Sequence, residues 1–238
     1  MKKRWLFPVL FFFGTILFAQ RSSIPSPADP SAAEPAEIEL PVETETAGDF
    51  DLLQNRFGGI TITGYKGTDR TVVIPETIGG LPVTIIGNKA FLRKDLFAVT
   101  IPETVVTIEP MAFAENFLQS ANIPGCASIG YEAFAGNHLT SLVLSEKLSS
   151  IGPRAFINNK LSSITIPGRI TNIGKDAFAG NPLVSITVGE NRNLFSSQGF
   201  EISFVNYYIG TGRRAGVYIK NGRIWSLREE DPNLILSN

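Results

Sequence analysis

A phenylalanine preceded by alanine recurs at Phe91, Phe113, Phe134, Phe156 and Phe178, at spacings of 22, 21, 22 and 22 residues. Five positions before each stands Ile86, Ile108, Ile129, Ile151 or Ile173, and five after it Leu96, Leu118, Leu139, Leu161 or Leu183. Apolar residues return eight and ten positions after the phenylalanine: Val99 and Ile101, Ala121 and Ile123, Leu142 and Leu144, Ile164 and Ile166, Ile186 and Val188. A unit this short cannot bury its own apolar face, so the repetition obliges each unit to stack on its neighbours.

The closing I-x-I of each unit alternates as a short half-buried strand must. Pro102, Pro124 and Pro167 follow it, and proline, which cannot donate to a ladder, ends the strand. The I-G-x-x-A-F portion is expected to return the chain on the opposite side in a turn or short helix, with the phenylalanine inside and the alanine leaving room for its ring. Asn116, Asn137, Asn159 and Asn181 stand three after the phenylalanine, twice behind a glycine (Gly136, Gly180), where a turn needs left-handed backbone or an amide to satisfy main-chain groups. The period and the LxxLxL spacing are those of leucine-rich solenoids. The expected fold is therefore a repeat solenoid with short parallel strands on one face and turns or short helices on the other, capped at both ends.

The organisation follows from changes in composition. MKKR and the 15 apolar residues from Trp5 to Ala19 read as a signal peptide over 1–19, since a spanning helix needs roughly 20 apolar residues. An uncleaved leader would be the one route to a membrane. Residues 20–47 carry Pro25, Pro27, Pro30, Pro35 and Pro41 with Asp29, Glu34, Glu37, Glu39, Glu43 and Glu45, the composition of a disordered acidic linker. Residues 48–85 are read as an N-terminal cap, 86–190 as five repeats, and 191–238 as a C-terminal cap with a hairpin. In the first cap, 60–63 and 71–75 read as strands and 79–82 as an enlarged turn. In the second, Asn221-Gly222 reads as the two-residue turn.

Phrases such as "IGYEAFAGNHLTSLVL", the entry "ITGYKGTDRTVVIPETIGGLPVTIIGNKAF" and the exit "YYIGTGRRAGVYIKNGRIW" resemble the BspA-like, treponemal-type leucine-rich repeat family. The resemblance runs from about Gly59 to Trp225. It implies an exported surface or cell-envelope protein, some relatives of which bind host matrix proteins or other cells. Lys94 replaces the repeat asparagine, and Ser145 and Gly189 replace the repeat proline.

The chemistry available to such a chain is narrow. Removing Lys2, Lys3 and Arg4 leaves 18 basic against 22 acidic residues, so there is no general electrostatic reason to seek nucleic acid. One cysteine, Cys126, and one histidine, His138, form neither a zinc cluster nor a paired-histidine site. No cofactor, metal or catalytic constellation is expected. Cys126 reads as an inert buried thiol and His138 as a loop residue. "GTGRRAG" from Gly210 to Gly216 lacks the ending and context of a phosphate loop.

Candidate binding residues lie on the concave strand face, seven and nine after each phenylalanine: Thr100, Ser120, Asn122, Ser141, Ser163, Thr165, Ser185 and Thr187, beside Ala98 and Val143. The face reads as a solvated sheet, as a docking surface for a protein or glycan, or as a ladder that orders water. Arg213 and Arg214, with Lys220, Arg223 and Arg228, form a basic cluster that is either a solvated cap face or a contact for acidic glycan. Two functions stay open: a cell-surface or secreted adhesion module, and a periplasmic structural or assembly protein held by its leader.

Overall fold

The computed structural model divides the chain into two units, Met1–Leu40 and Pro41–Asn238. It describes residues 48–189, 200, 204, 208, 211 and 214–228, all in the second unit. The leader, the linker and Arg213 lie outside the described residues.

The strands in chain order are β1 (Phe50–Gln54), β2 (Ile60–Tyr65), β3 (Thr71–Val73), β4 (Thr77–Ile78), β5 (Leu81–Ile86), β6 (Ala98–Thr100), β7 (Thr107–Ile108) and β8 (Ser120–Ile123). They continue as β9 (Ser128–Ile129), β10 (Ser141–Leu144), β11 (Ser150–Ile151), β12 (Ser163–Ile166), β13 (Asn172–Ile173), β14 (Ser185–Val188), β15 (Gly216–Asn221) and β16 (Ile224–Arg228). They form a parallel solenoid of about six turns, the fold class that the period dictates.

The I-x-I segments make the wider side: β3 pairs β6, β8 pairs β10 and β12 pairs β14, all parallel and in register, with β6 beside β8 and β10 beside β12. The opposite side is not turns alone. The isoleucines five before each phenylalanine pair from β5 through β7, β9 and β11 to β13 as a second, narrower parallel ladder. Two-residue strands have no period to betray them in a sequence.

Between the two ladders the Ala-Phe turn forms a third. Residues two before the phenylalanine (Lys89, Met111, Glu132, Arg154, Asp176) and two after it (Arg93, Glu115, Gly136, Asn158, Gly180) all have positive φ, from 52° to 72°. With a left-handed residue two before and two after the phenylalanine, alternate N–H groups of the turn face the next coil while those between bond within their own coil. As a result Glu132, Phe134 and Gly136 donate to Pro153, Ala155 and Ile157 of the next coil at 3.0, 2.8 and 2.9 Å. The same triplet recurs in the first four coils. Left-handed geometry costs a non-glycine residue roughly 1–2 kcal/mol, and the ladder bonds offset it.

Asparagines lock the coils to one another. The Asn137 Oδ1 accepts from the Leu118 N–H at 3.1 Å, while its Nδ2 donates to the carbonyls of Phe113 (2.9 Å) and Phe134 (3.1 Å). Asn116, Asn159 and Asn181 do the same one coil apart. Inside the asparagine line, Phe91, Phe113, Phe134, Phe156 and Phe178 stack with centroids 5.0–5.4 Å apart. Tyr65 stacks on Phe91 at one end and Phe200 on Phe178 at the other, at 5.4 and 5.1 Å. Phe200 stands 22 residues after Phe178 and continues the stack into the region assigned to the cap.

Each cap closes a different side. The antiparallel hairpin of β1 and β2 covers the first strand of the narrow ladder, with β2 parallel to β5. The hairpin of β15 and β16 covers the last wide strand, with β15 antiparallel to β14. Two turns differ from expectation. Gly79-Gly80 is a tight turn between β4 and β5, with Leu81 and Pro82 already in strand. The second hairpin turns at Gly222-Arg223, because Asn221 pairs with Ile224. Glycine with φ of 64° at the first turn position satisfies the geometry that Asn-Gly would otherwise supply.

Candidate functional site: the outer face of the wide ladder

Alternation in the wide strands sends Ile123, Leu144, Ile166 and Val188 inward and their neighbours outward. Thr100, Ser120, Asn122, Ser141, Ser163 and Thr165 are exposed, in two rows along the ladder. Ser185 and Thr187 belong to the same rows but are half-buried, because Ile219 and Val217 of β15 pair directly beside them. Arg214 is exposed at the start of the cap hairpin.

The rows extend beyond the residues that the period identifies. Thr71 and Val73 of β3 continue them at one end, and Ile219, Val217, Ser226 and Arg228 continue them through the hairpin at the other. From β3 to β15 no outward position in either row is charged. Val73 and Val143 are 67% and 56% exposed. The face is thus flat, uncharged, hydroxyl-bearing and studded with aliphatic side chains.

Phe97 and Phe117, which the sequence analysis did not single out, flank the strand entries and are 43% and 39% exposed. Their rings stack at 5.6 Å, the Arg70 guanidinium lies over Phe97 at 5.4 Å, and His138 approaches Phe117 at 5.6 Å. Sister repeats place Gln119, Thr140, Ser162 and Val184 in the slot of Phe97, and Asp95, His138, Lys160 and Pro182 in the slot of Phe117. The fold therefore does not require aromatic rings there. That internal comparison was the available signal.

The remaining candidates are structural. Phe91, Phe113, Phe134, Phe156 and Phe178 and Leu96, Leu118, Leu139 and Leu161 line the core, and Leu183 is partly buried against it. Cys126 is buried, its Sγ donates to the Ser128 carbonyl at 3.0 Å, and burial pushes its thiol up to about 11. Among the described residues no group of three or more His, Cys, Asp or Glu is arranged to hold a metal, and no helix is long and apolar enough to cross a membrane.

The profile of the BspA type leucine rich repeat region matches residues 84–205 in six copies. The chain belongs to this family. Among solved structures, the T. pallidum leucine rich repeat protein TpLRR is similar at 28% identity and a TM-score of 0.55, over 60% of this chain and 71% of that one. A leucine-rich repeat protein from Bacteroides ovatus ATCC 8483 is similar at 26% and 0.52, over 66% of this chain and 45% of that one. A search of curated protein sequences finds no match. Solenoids of this kind are typically non-catalytic scaffolds that bind other proteins.

Proposed function

We propose that the protein is an exported binding module that docks a protein or glycan partner on the outer face of its wide ladder, with adhesion as its role. The observation that carries this reading is the unbroken, uncharged face from β3 to β15, with Val73 and Val143 exposed on it. Phe97 and Phe117 beside it occupy slots where no sister repeat carries phenylalanine and most carry polar residues. Charge depletion with aromatic enrichment is the compositional mark of an interface core. The basic run through MKKR and the apolar stretch to Ala19 support export. Arg214, Arg223 and Arg228, exposed on the cap hairpin, suit acidic groups at the rim of a partner; Arg213 and Lys220 add to that charge in the sequence.

The test uses immobilised fibronectin, laminin and collagen with an array of neutral and acidic glycans. Thr165→Glu and Asn122→Glu place charge on the face without entering the core. Phe97→Gln and Phe117→Lys copy sister repeats and so should leave the melting temperature unchanged. The reading expects at least one probe to bind the parent and to lose about tenfold or more in affinity with the face variants, the scale of one or two interface residues. Binding indifferent to all four changes, or no binding to any probe, would reject it.

A further inference from the structure

Ser145 and Gly189 stand where Pro102, Pro124 and Pro167 stand in the other coils. They follow β10 and β14, which pair in parallel with the strands one coil before, β8 and β12. Pro124 and Pro167 follow β8 and β12, and among the described residues no pairing joins β8 to β6 or β12 to β10. Two seams therefore cut the backbone of the wide ladder, although the rows of outward side chains run on across them. The cause is a missing donor. Gly189 donates its N–H to the Ile166 carbonyl at 3.0 Å, a bond that proline cannot make. Pro102 lacks the same donor, but there Ile74 donates forward to the Thr100 carbonyl at 3.0 Å, and β6 stays paired with β3.

Two further features mark the same two steps. At the strand entries Phe97, Thr140 and Val184 donate their N–H groups to the carbonyls of Arg70, Gln119 and Ser162 at 2.8, 2.9 and 2.8 Å. The equivalent N–H groups of Gln119 and Ser162 make no such bond to Phe97 and Thr140. Inside, Val99 and Leu142, on the strands just before the seams, are only partly buried, whereas Ala121, Ile164 and Ile186 in the same slot are buried. The rest of each coil is closed at both steps. There β5 pairs β7 and β9 pairs β11 in the narrow ladder, Phe91 and Phe134 donate to Ala112 and Ala155 at 2.8 Å, and Asn116 and Asn159 accept from Leu96 and Leu139. A step bonded on one side and unpaired on the other is a hinge.

We infer that the two seams are joints at which the outer face changes its curvature. Three blocks, β3 with β6, β8 with β10, and β12 with β14 and the cap hairpin, tilt about the narrow ladder as the wide side opens or closes between β6 and β8 and between β10 and β12. Opening at a seam breaks no ladder pairing, because none is there; opening at a paired step would break several hydrogen bonds at once. Motion of this hinge type concentrates where packed elements share the fewest bonds. The joints belong to the backbone and do not depend on what docks on the face, so they go beyond the binding function above. For a docking surface they permit adjustment to partners of different shape.

Hydrogen exchange of the full chain, resolved to single amides, reads the joints directly. Ser120 and Asn122 at the first seam and Ser163 and Thr165 at the second should be at least about tenfold less protected than Ser141, Val143, Ser185 and Thr187 at the paired steps. Pro124→Ser and Pro167→Gly copy Ser145 and Gly189 of the sister coils, so they suit the fold, and each restores an N–H. The first should slow exchange at Ser120 and Asn122 alone, the second at Ser163 and Thr165 alone. Spin labels follow the tilt itself: Thr100→Cys with Asn122→Cys spans the first seam, and Asn122→Cys with Val143→Cys spans a paired step, while the buried Cys126 stays unlabelled. The distance distribution should be broader across the seam and should narrow when Pro124→Ser is added. Equal protection at seam and paired amides, exchange unmoved by both proline variants, or equal widths for the two label pairs overturns the inference.

Discussion

Asn137→Ala should be among the most damaging single changes that touch no hydrophobic side chain. The amide is 2% exposed. Its Oδ1 is the acceptor for the Leu118 N–H, which would be left buried and unpaired at a cost of about 1–3 kcal/mol. The carbonyls of Phe113 and Phe134 keep one donor each, from Asn116 and Asn159, so each loses only one of two bonds, about 0.5–1.5 kcal/mol apiece. Together these give about 2–6 kcal/mol. For a domain of this size each kcal/mol moves the melting temperature by roughly 2–4 °C, so the midpoint should fall by about 4–24 °C. The assays are thermal melting for the midpoint and urea unfolding for the free energy, both followed by circular dichroism, the second with its slope unchanged. Asn181→Ala, at a half-buried position, should cost less because water can replace the lost partners. Asn137→Asp keeps the acceptor but turns a carboxylate oxygen toward the Phe113 and Phe134 carbonyls, so it should be no milder than alanine at neutral pH. A cost below about 1 kcal/mol for Asn137→Ala, the limit of one ordinary hydrogen bond, or a neutral Asn137→Asp, would refute the claim that the asparagines hold the coils in register.

Three further outcomes follow from the packing. Phe134→Ala should cost about 3–5 kcal/mol, the range for a large buried ring, because its neighbours at 5.1 and 5.4 Å are rings that the other contacts of the stack hold in place; a loss under about 1 kcal/mol in urea unfolding would show a core free to collapse. Gly152→Ala should lower the melting temperature clearly, since its Cβ would stand 2.5 Å from the Gly130 carbonyl carbon, a backbone atom that cannot yield without shifting a coil; an unchanged melt would contradict the close approach. The Cys126 thiol, pushed up to about 11 by burial, should resist a disulfide reagent at pH 8 in the native protein and react fully in denaturant, because the thiolate is the reactive form; stoichiometric native labelling would place it at the surface.

The repeat made the wide strands, the ring stack and the uncharged outer face legible, because each is one side-chain type per period. What escaped reading has a physical reason in each case. The narrow ladder uses two-residue strands such as Ser150–Ile151, too short to alternate. The left-handed residues before the phenylalanine are Lys89, Met111, Glu132, Arg154 and Asp176, a set with no turn signature, since ladder bonds hold that geometry. Phe200 keeps the period, but Gly199 stands in the alanine slot and Phe195 in the isoleucine slot, so the unit looks like cap. β1, Phe-Asp-Leu-Leu-Gln, pairs through a register shift between Asp51 and Leu52, which breaks the alternation that would have announced it.

Protease shaving of intact producing cells, with N-terminal sequencing of the mature protein and a lysed-cell control, tests the account's central claim most directly. A recognition surface that works outside the cell must be cut on intact cells, and the mature chain should begin near Gln20. Full protection until lysis, with Trp5 to Ala19 still attached, would contradict surface recognition and turn the search for a partner to the periplasm.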